Sequence, residues 1–338
     1  MNWFERLTGF REESPGQVRD LLRMEGNWLV STVNNRRWDC GRFSAPLLQE
    51  LREQCRLSPQ ELPRLRLREQ VADVQRLHAD PDNAGAIFQV ASQFNLLEMV
   101  SPRYTPEMGV GIYQNDRTQG PACAIAAGAG TIWRNYFMPL PGQSGQSASL
   151  QFDALSTLGQ ELGNADGSLW QMRNGYVETS QQALEQIGRQ LAALGETGRE
   201  RLKGLLRIGW QADTGVTLPG CDHRVHQLYC SALPVAYSRH PAGVWEPFAR
   251  LILEAAYEAT FSVACQQLAR HGHCRLYLTL LGGGAFGNRI EWIIDAIRTS
   301  LYRYAGTGLE VVIVSYGSSV PAVKALVDEV NQEFAASR

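Results

Sequence analysis

A short glycine-rich segment carries the clearest chemical signal in this sequence. Residues 282–287 are Gly-Gly-Gly-Ala-Phe-Gly, with four glycines in six positions, and they follow an apolar run at residues 275–279. Glycine costs backbone entropy, so repeated glycine indicates that side chains would obstruct something that approaches the backbone. A helix-like run begins near Asn288, and loop N–H groups beside the positive end of a helix favour a phosphate. The segment predicts a diphosphate-binding loop, and the alternative is a tight turn between a strand and a helix.

Two common phosphate-binding motifs fit this segment less well. A Walker loop is excluded because no Gly-Lys-Ser/Thr sequence follows the glycines. A dinucleotide fingerprint normally opens a βαβ unit, and an acidic residue follows it about 20 positions later. Glu310 stands near that spacing, so an NAD-dependent enzyme remains an alternative.

A second group of candidates lies between an apolar run at residues 87–95 and a small-residue run that begins at Gly120. Asn95 ends the apolar run, where it is either a turn residue or a hydrogen-bond partner for a bound ligand. Hydrolysis of such a ligand would need a carboxylate that activates water. Glu98, within the otherwise apolar Leu-Leu-Glu-Met, ranks first for that role, and Asp116 is a second candidate. The simpler interpretation is that these acids are only solvated.

Histidine and cysteine give no comparable signal. Cys221, His223, His226 and Cys230 are metal-ligand types, but their spacing matches no zinc-finger pattern. The seven cysteines are scattered, odd in number and without a Cys-x-x-Cys pair, which is typical of reduced cytoplasmic thiols. We predict neither a metal site nor a cofactor.

Composition narrows the class of protein. A length of 338 residues allows one elaborated α/β domain or two smaller ones. The net charge of −2, from 32 Lys+Arg and 34 Asp+Glu, argues against a general nucleic-acid binder. The N-terminus has no apolar signal-peptide region, and no apolar run approaches the roughly 20 residues that span a bilayer. We predict a cytoplasmic protein without a membrane partner, and the sequence leaves its oligomeric state undetermined.

The elements that would position the candidate residues alternate between apolar strands and helices. Strands are predicted at residues 71–80, 87–95, 205–215, 226–238, 274–281 and 309–319. The longest helix is predicted from residue 241 and ends at Gly272, which suits a helix C-terminus. This alternation predicts a three-layer α/β/α fold with a mainly parallel or mixed central sheet. Residues 1–70 form a predicted N-terminal extension with a hairpin and a helix, and residues 71–338 form the main domain with an insertion around residues 138–250.

Four segments together resemble the macrodomain family, whose members are ADP-ribose-binding α/β/α modules. Residues 90–97, Val-Ala-Ser-Gln-Phe-Asn-Leu-Leu, are similar to the family's first strand end. Residues 119–128 are similar to its glycine-containing loop and small-residue helix. Residues 282–287 are similar to its Gly-Xaa-Gly-Xaa-Phe-Gly loop, and residues 311–316 resemble the next strand, which ends near an aromatic residue.

The resemblance implies a role for each candidate residue. Asp80 would hold adenine, Tyr316 would contact the adenosine side, and Asn95 with Gly120 would hold the terminal ribose. The diphosphate would contact the glycine loop, namely Gly282, Gly283, Gly284, Ala285, Phe286, Gly287 and Asn288. The ligand would be ADP-ribose or a related nucleotide. It would bind either free or attached to a modified protein or nucleic acid.

The predicted activity is hydrolysis of an ADP-ribosyl bond of the glycohydrolase type, with Glu98, Asn95 and Asp116 as catalytic candidates. The chain departs from the family in several ways, and two of them bear on catalysis. Family hydrolases carry paired glutamates after their glycines, and this chain has none there. Ala91 or Ser92 replaces the first family asparagine. These departures favour a non-catalytic reader of ADP-ribose as the first alternative, and an NAD-dependent oxidoreductase is the second.

Overall fold

The computed structural model describes residues 1–55 and 64–336. The α-helices are α1 (Trp3–Thr8), α2 (Pro15–Leu21), α3 (Leu48–Gln54), α4 (Val74–Ala79), α5 (Gln119–Ala126), α6 (Gly128–Tyr136), α7 (Ser156–Leu162), α8 (Gln181–Ala193), α9 (Glu196–Gly204), α10 (Ala242–His271), α11 (Ile290–Arg303) and α12 (Pro321–Ala336). The strands are β1 (Leu22–Glu25), β2 (Trp28–Ser31), β3 (Arg37–Asp39), β4 (Arg42–Ser44), β5 (Arg66–Val71), β6 (Ile87–Ala91), β7 (Pro139–Leu140), β8 (Gln143–Ser144), β9 (Trp170–Arg173), β10 (Tyr176–Thr179), β11 (Gly209–Gly215), β12 (Arg224–Cys230), β13 (Arg275–Leu278) and β14 (Glu310–Ser315).

The largest sheet in the described part of the chain has seven strands in the order β4-β11-β12-β6-β13-β14-β5. The five strands from β12 to β5 run parallel to one another. β11 pairs antiparallel with β12, and β4 pairs antiparallel with β11 at the edge. β6, β12, β13 and β14 are largely buried, as expected when helices cover both faces, whereas β5 at the edge of the sheet buries only the side chain of Leu67. The predicted α/β class with a mainly parallel or mixed sheet is confirmed.

Two neighbouring residues of β6 show the three layers directly. Phe88 stacks on His78 of α4, with ring centroids 3.7 Å apart. The next residue, Gln89, donates its amide to Thr260 of α10 at 3.0 Å. Successive strand residues face opposite sides of a sheet, so α4 and α10 cover opposite faces. The predicted end of α10 is also confirmed, because Gly272 caps it with a left-handed backbone at φ +76°.

A second apolar core joins the N-terminal segment to the helices after β6. Trp3, Phe4 and Leu7 of α1 pack with Tyr113, Ile132 and other buried residues of that region. β4 and β5 belong to the central sheet, so the boundary predicted at residue 70 falls inside a strand of the main domain. Residues 56–63 of the predicted extension, and residues 337–338, lie outside the described residues.

The strand predicted at residues 71–80 is wrong. β5 ends at Val71, Asp73 caps the next helix through its carboxylate, and α4 follows. Val74, Leu77 and His78 are the buried residues of α4, which is helical rather than alternating spacing. The segment around residues 138–250 contains the hairpins β7–β8 and β9–β10 and helices α7–α9, but its last strands, β11 and β12, belong to the central sheet. No helix in residues 1–55 and 64–336 is long and apolar enough to cross a membrane.

Candidate functional site

A cavity of about 780 Å³ opens at the carboxyl ends of the parallel strands. Residues that directly follow β5, β6, β13 and β14 line it, because the carboxyl ends of parallel strands meet at one edge of a sheet. The first turn of α5 and residues of α1 complete the wall. A volume of this size suits a nucleotide-sized ligand.

The glycine loop forms part of the cavity wall, and its glycines have different roles. Gly282 has a φ of +74°, and a Cβ there would lie 2.4 Å from the Cβ of Ala232. Gly287 has a φ of +69°, and its Cβ would lie 2.7 Å from the Cβ of Ala236. A Cβ on Gly284 would meet no atom of the described residues within 4 Å. Gly284 therefore leaves the wall bare toward the cavity, whereas Gly282 and Gly287 shape the turn.

The structure divides the predicted diphosphate residues into two groups. Gly282, Gly284, Ala285 and Phe286 line the cavity. Gly283, Gly287 and Asn288 do not line it. The buried amide of Asn288 donates to the carbonyl of Leu233 at 2.8 Å, so it braces the loop against the segment after β12.

Phe286 belongs to an aromatic cluster at one end of the cavity. Its ring centroid lies 5.3 Å from that of Tyr176 and 5.6 Å from that of Tyr237. The Tyr176 hydroxyl donates to the carbonyl of Met99 at 2.8 Å, which fixes the ring. Both tyrosines line the cavity, and both come from the segment around residues 138–250. No periodicity or motif in the sequence pointed to either residue.

Asp80 does not reach the cavity. It lies at the far end of α4, where its carboxylate accepts from the backbone N–H of Asp82 at 3.0 Å. Asp73, at the beginning of α4, lines the cavity instead and accepts from the backbone N–H of Gln75 at 2.8 Å. The signal for Asp73 was present as a helix N-cap, and the mistaken strand at residues 71–80 hid it.

Asn95 is a turn residue in this structure. Its side chain is buried, its amide donates to the side-chain Oε1 of Gln151 at 2.8 Å, and its own oxygen accepts from the N–H of Leu97 at 3.1 Å. These contacts fix the backbone after β6, where Leu96 has a φ of +63°. Ser92 and Gln93, rather than Asn95, line the cavity after this strand.

Glu98 borders the cavity, and its side chain is fully buried. Its carboxylate forms an ion pair with Arg134, whose Nη2 lies 3.2 Å from each carboxylate oxygen. Arg134 also donates from Nε to the Leu96 carbonyl at 2.9 Å and lies 3.5 Å above the ring centroid of Tyr229. Burial raises the pKa of Glu98 to about 7, and the positive charge of Arg134 opposes that rise.

The first turn of α5 contributes Gly120 to the cavity wall. A Cβ on Gly120 would lie 1.9 Å from the Ala91 carbonyl oxygen, so this helix can approach β6 closely only with glycine at this position. The Gln119 side chain reinforces the contact, accepting from the N–H of Ala91 and donating to the carbonyl of Gln89, both at 2.8 Å. The start of α5 is therefore fixed against the end of β6.

Two further predicted residues also lie at the cavity. Asp116 is half-buried and accepts from the N–H and the hydroxyl of Thr118 at 2.9 and 2.7 Å. Tyr316 follows β14 and is 73% exposed, so its ring is open to a ligand. The N-terminal helix adds Trp3 and Arg6 to the cavity wall. Both lie more than 80 residues before every predicted site residue except Asp80, and no local sequence pattern indicated that they belong to a site.

Metal-ligand side chains do not converge in the described structure. No group of three or more His, Cys, Asp or Glu in residues 1–55 and 64–336 is placed to hold a metal ion. His223 instead contacts the carbonyl of His78 through Nε2 at 2.8 Å, and His226 faces Asp213 at 3.7 Å.

Comparison with solved structures finds distant likenesses. The chain is similar to poly(ADP-ribose) glycohydrolase from Thermomonospora curvata, with 13% identity, 94% of this chain and 97% of that chain covered, and a TM-score of 0.45. It is also similar to poly(ADP-ribose) glycohydrolase from Deinococcus radiodurans in complex with ADP-ribose, with 12% identity, 86% and 95% covered, and a TM-score of 0.43. The Thermomonospora curvata enzyme bound to the inhibitor ADP-HPD gives 13% identity, 93% and 97% covered, and a TM-score of 0.42.

Comparison at the level of sequence gives no relative. No family model matches the chain, and no curated protein matches it.

Proposed function

We propose that this protein binds ADP-ribose, or the ADP-ribosyl group of a modified protein or nucleic acid, in the cavity at the carboxyl edge of the sheet. One observation carries the proposal: the bare glycine loop and the first turn of α5 line the same cavity. Loop N–H groups and the positive end of a helix both favour phosphate oxygens. The surrounding wall is partly aromatic, which suits a base and two sugars.

The proposed orientation follows from the residues at each part of the wall. Asp73 takes the adenine role first assigned to Asp80, and Tyr316 contacts the adenosine side. The backbone at Gly282, Gly284 and Ala285 holds the diphosphate. Gly120 and Phe286 contact the terminal ribose, which places its anomeric carbon in the part of the cavity lined by Glu98.

We further propose that the protein hydrolyses the ADP-ribosyl bond, with Glu98 as the base that activates water. Among the described residues, the carboxylates that line the cavity are Asp73, Glu98 and Asp116. A base acts best when its pKa lies near the working pH, and burial moves the pKa of Glu98 in that direction. Glu98 also lies beside the proposed ribose site, because its Cγ is 3.3 Å from the position that a Cβ of Gly120 would occupy.

Non-catalytic binding is the second candidate function. Arg134 contacts both carboxylate oxygens of Glu98, and both side chains are fully buried. A carboxylate engaged in this way also serves as a structural support for the loop after β6. In that case the same cavity would bind ADP-ribose without turnover.

Calorimetric titration with ADP-ribose, NAD and AMP tests the binding proposal. The decisive variant is Gly284→Glu, which places a negative charge on the bare wall at a position where an added Cβ meets no described atom within 4 Å. Gly243→Glu is the matched control, because Gly243 lies in the first turn of α10 and its Cβ would also meet open space. We expect the wild type and the control to bind ADP-ribose more tightly than AMP, and Gly284→Glu to lose binding. Absence of ADP-ribose binding by the wild type would refute the proposal.

Turnover is measured as ADP-ribose released from an ADP-ribosylated protein. We expect Glu98→Gln to retain ADP-ribose binding and to lose release, and Asp116→Asn to retain release. If only Asp116→Asn lost ADP-ribose release, Asp116 and not Glu98 would be the base. Binding without release in the wild type would establish the non-catalytic function, and a preference for NAD with formation of reduced cofactor would establish an oxidoreductase.

A further inference from the structure

Two cysteines meet where the end of α3 packs against α10. The thiols of Cys55 and Cys265 are hydrogen-bonded to each other, and Cys265 is the donor. The backbone brings the same two segments together, because the Leu51 carbonyl accepts from the N–H of Cys55 at 3.0 Å and from the Gln266 amide at 3.4 Å. The packing of α3 on α10 therefore holds the two sulfur atoms in contact.

The two thiols differ in exposure and in acidity. Cys55 is partly exposed, whereas Cys265 is buried. The hydrogen bond from Cys265 lowers the pKa of Cys55, and the same hydrogen bond together with burial raises the pKa of Cys265. The thiolate rather than the thiol is the form that reacts with oxidants. Cys55 is therefore the reactive member of the pair, and Cys265 is the neighbour that keeps its proton.

The other five cysteines lack this combination of exposure, acidity and a neighbouring donor thiol. Four of them are buried and have a pKa raised by burial, namely Cys40, Cys123, Cys230 and Cys274. Cys221 is partly exposed, as Cys55 is, but burial and the charge of Asp222 raise its pKa. Exposure alone therefore does not distinguish Cys55, whereas its contact with Cys265 does.

The local backbone allows the two sulfur atoms to approach further. Cys55 follows the last residue of α3 and has a non-helical backbone, with φ −85° and ψ 60°. Its side chain can move toward Cys265 without unwinding a helical turn, and a disulfide needs such an approach. The ion pair between Arg52 and Glu258, at 2.6 Å, holds α3 and α10 together during that movement.

We propose that Cys55 and Cys265 form a redox pair, which a peroxide converts into a reversible disulfide between α3 and α10. The Cys55 thiolate attacks the peroxide, the O–O bond breaks, and the products are the Cys55 sulfenic acid and, after proton uptake, one water. The Cys265 thiol then attacks the sulfenic sulfur, the S–S bond forms, and the hydroxyl leaves with the Cys265 proton as a second water. The two thiols thus lose two electrons, and the peroxide gains them.

The disulfide would join two points that are far apart in the sequence, so it should stabilise the folded chain. Neither cysteine lines the cavity, and the inference is independent of the proposed function.

Peroxide treatment of the full-length reduced protein at pH 7 tests the pair. Samples are quenched over time, unfolded, alkylated and digested without reductant, and mass spectrometry identifies the linked peptides. The variants are Cys55→Ser and Cys265→Ser, and a cyclic diketone is added to trap sulfenic acid. Cys221→Ser is the matched control, since Cys221 has a similar exposure and no donor thiol beside it. The result for the wild type needs no variant to fold.

We expect the wild type and Cys221→Ser to lose two free thiols and to yield a peptide that links Cys55 to Cys265, which a dithiol reductant separates again. Cys265→Ser should yield the trapped sulfenic acid at Cys55, and Cys55→Ser should lose thiols at least about tenfold more slowly than the wild type. The oxidised wild type should have a Tm at least about 5 °C above that of the reduced protein.

Three outcomes would overturn the redox pair. One is oxidation of Cys221 as fast as that of Cys55, and another is a link between Cys265 and Cys274. The third is a link between the Cys55 residues of two chains. An unchanged Tm after complete formation of the Cys55–Cys265 link would overturn the stabilising role of the disulfide. None of these results bears on the binding of ADP-ribose, which is measured separately.

Discussion

Glu98 and Arg134 form an ion pair in which neither side chain is exposed to solvent. The pair connects the loop after β6 to α6, and it lies directly beneath the part of the cavity assigned to the terminal ribose. A buried ion pair of this kind gains Coulomb energy only by losing the hydration of both charges. The contribution of each side chain to stability therefore depends strongly on the presence of the other.

Removal of one member of the ion pair should lower the free energy of unfolding far more than removal of both charges. Arg134→Met leaves the Glu98 carboxylate buried without a cation, and we expect it to lower the free energy of unfolding by about 3–5 kcal/mol. Adding Glu98→Gln to Arg134→Met should recover part of that loss. Urea denaturation of the two single variants and the double variant measures the coupling. Additive losses would show that the pair is not coupled.

The buried imidazole of His78 should make the fold sensitive to acid. Its Nδ1 contacts the Val74 carbonyl at 2.8 Å and its Nε2 faces the Gln227 amide at 3.0 Å, which suits a neutral ring protonated on Nδ1. Burial lowers the pKa of His78 from 6.5 to about 4. The unfolded chain therefore binds this proton first, and stability is lost as pH falls from about 6.5 to 4, by up to about 3 kcal/mol.

Thermal and urea denaturation at pH 7 and pH 5 measures this acid sensitivity. His78→Gln should lose less stability than the wild type between the two pH values. Some loss should remain, because burial also lowers the pKa of His226. The control His271→Gln replaces an exposed histidine and should behave as the wild type does. An unchanged pH dependence in His78→Gln would contradict the assignment.

Asp73, and not Asp80, should determine affinity for the adenine part of the ligand. Asn can cap a helix as Asp does, so Asp73→Asn should leave stability nearly unchanged. It removes the charge that, in the proposed orientation, accepts from the adenine amino group, and we expect about a tenfold weaker binding of ADP-ribose. Asp80→Asn is the control and should bind as the wild type does. Titration of both variants measures the difference, and equal affinities would remove Asp73 from the site.

One substitution, glycine to alanine, should have opposite effects on stability in two helices. Gly120→Ala brings a Cβ to 1.9 Å from a backbone oxygen of β6, so the start of α5 must move. We expect a loss of at least about 2 kcal/mol in the free energy of unfolding. Gly188→Ala in α8 brings a Cβ to 3.6 Å from the ring of Pro247, an ordinary contact. There we expect a gain of about 0.5–1 kcal/mol, because alanine favours the helix. A tolerated Gly120→Ala would show that α5 and β6 are not held together as described.

Local patterns predicted much of the fold and one wall of the cavity. The glycine loop between β13 and α11 and the helix end at Gly272 depend on the backbone freedom of glycine, which is visible in the sequence. The apolar runs in the sequence likewise predict a buried parallel sheet. Tyr316 and Gly120, whose roles the resemblance to the macrodomain family implied, both line the cavity.

The remaining site residues could not be predicted from neighbours in sequence. Arg134 lies in the apparently structural helix α6, and only the folded chain brings it to Glu98. Arg6 and Tyr176 reach the cavity from the N-terminal segment and from a hairpin far along the chain. Asn95 shows the converse. Its residue type and position suit a ribose contact, but its side chain fixes a turn instead.

The position of β5 in the sheet has a consequence for the synthesis of the chain. β5 pairs with β14, so residues 66–71 have their hydrogen-bonding partner at residues 310–315. A ribosome releases β5 long before β14, and the closing of so long a loop is a slow, entropically costly step. During that interval β5 and the edge of β13 are unpaired strand edges, which can associate with other chains. These edges therefore stay unpaired until the last strand has emerged, and the cavity, built on the same strand ends, is completed only then.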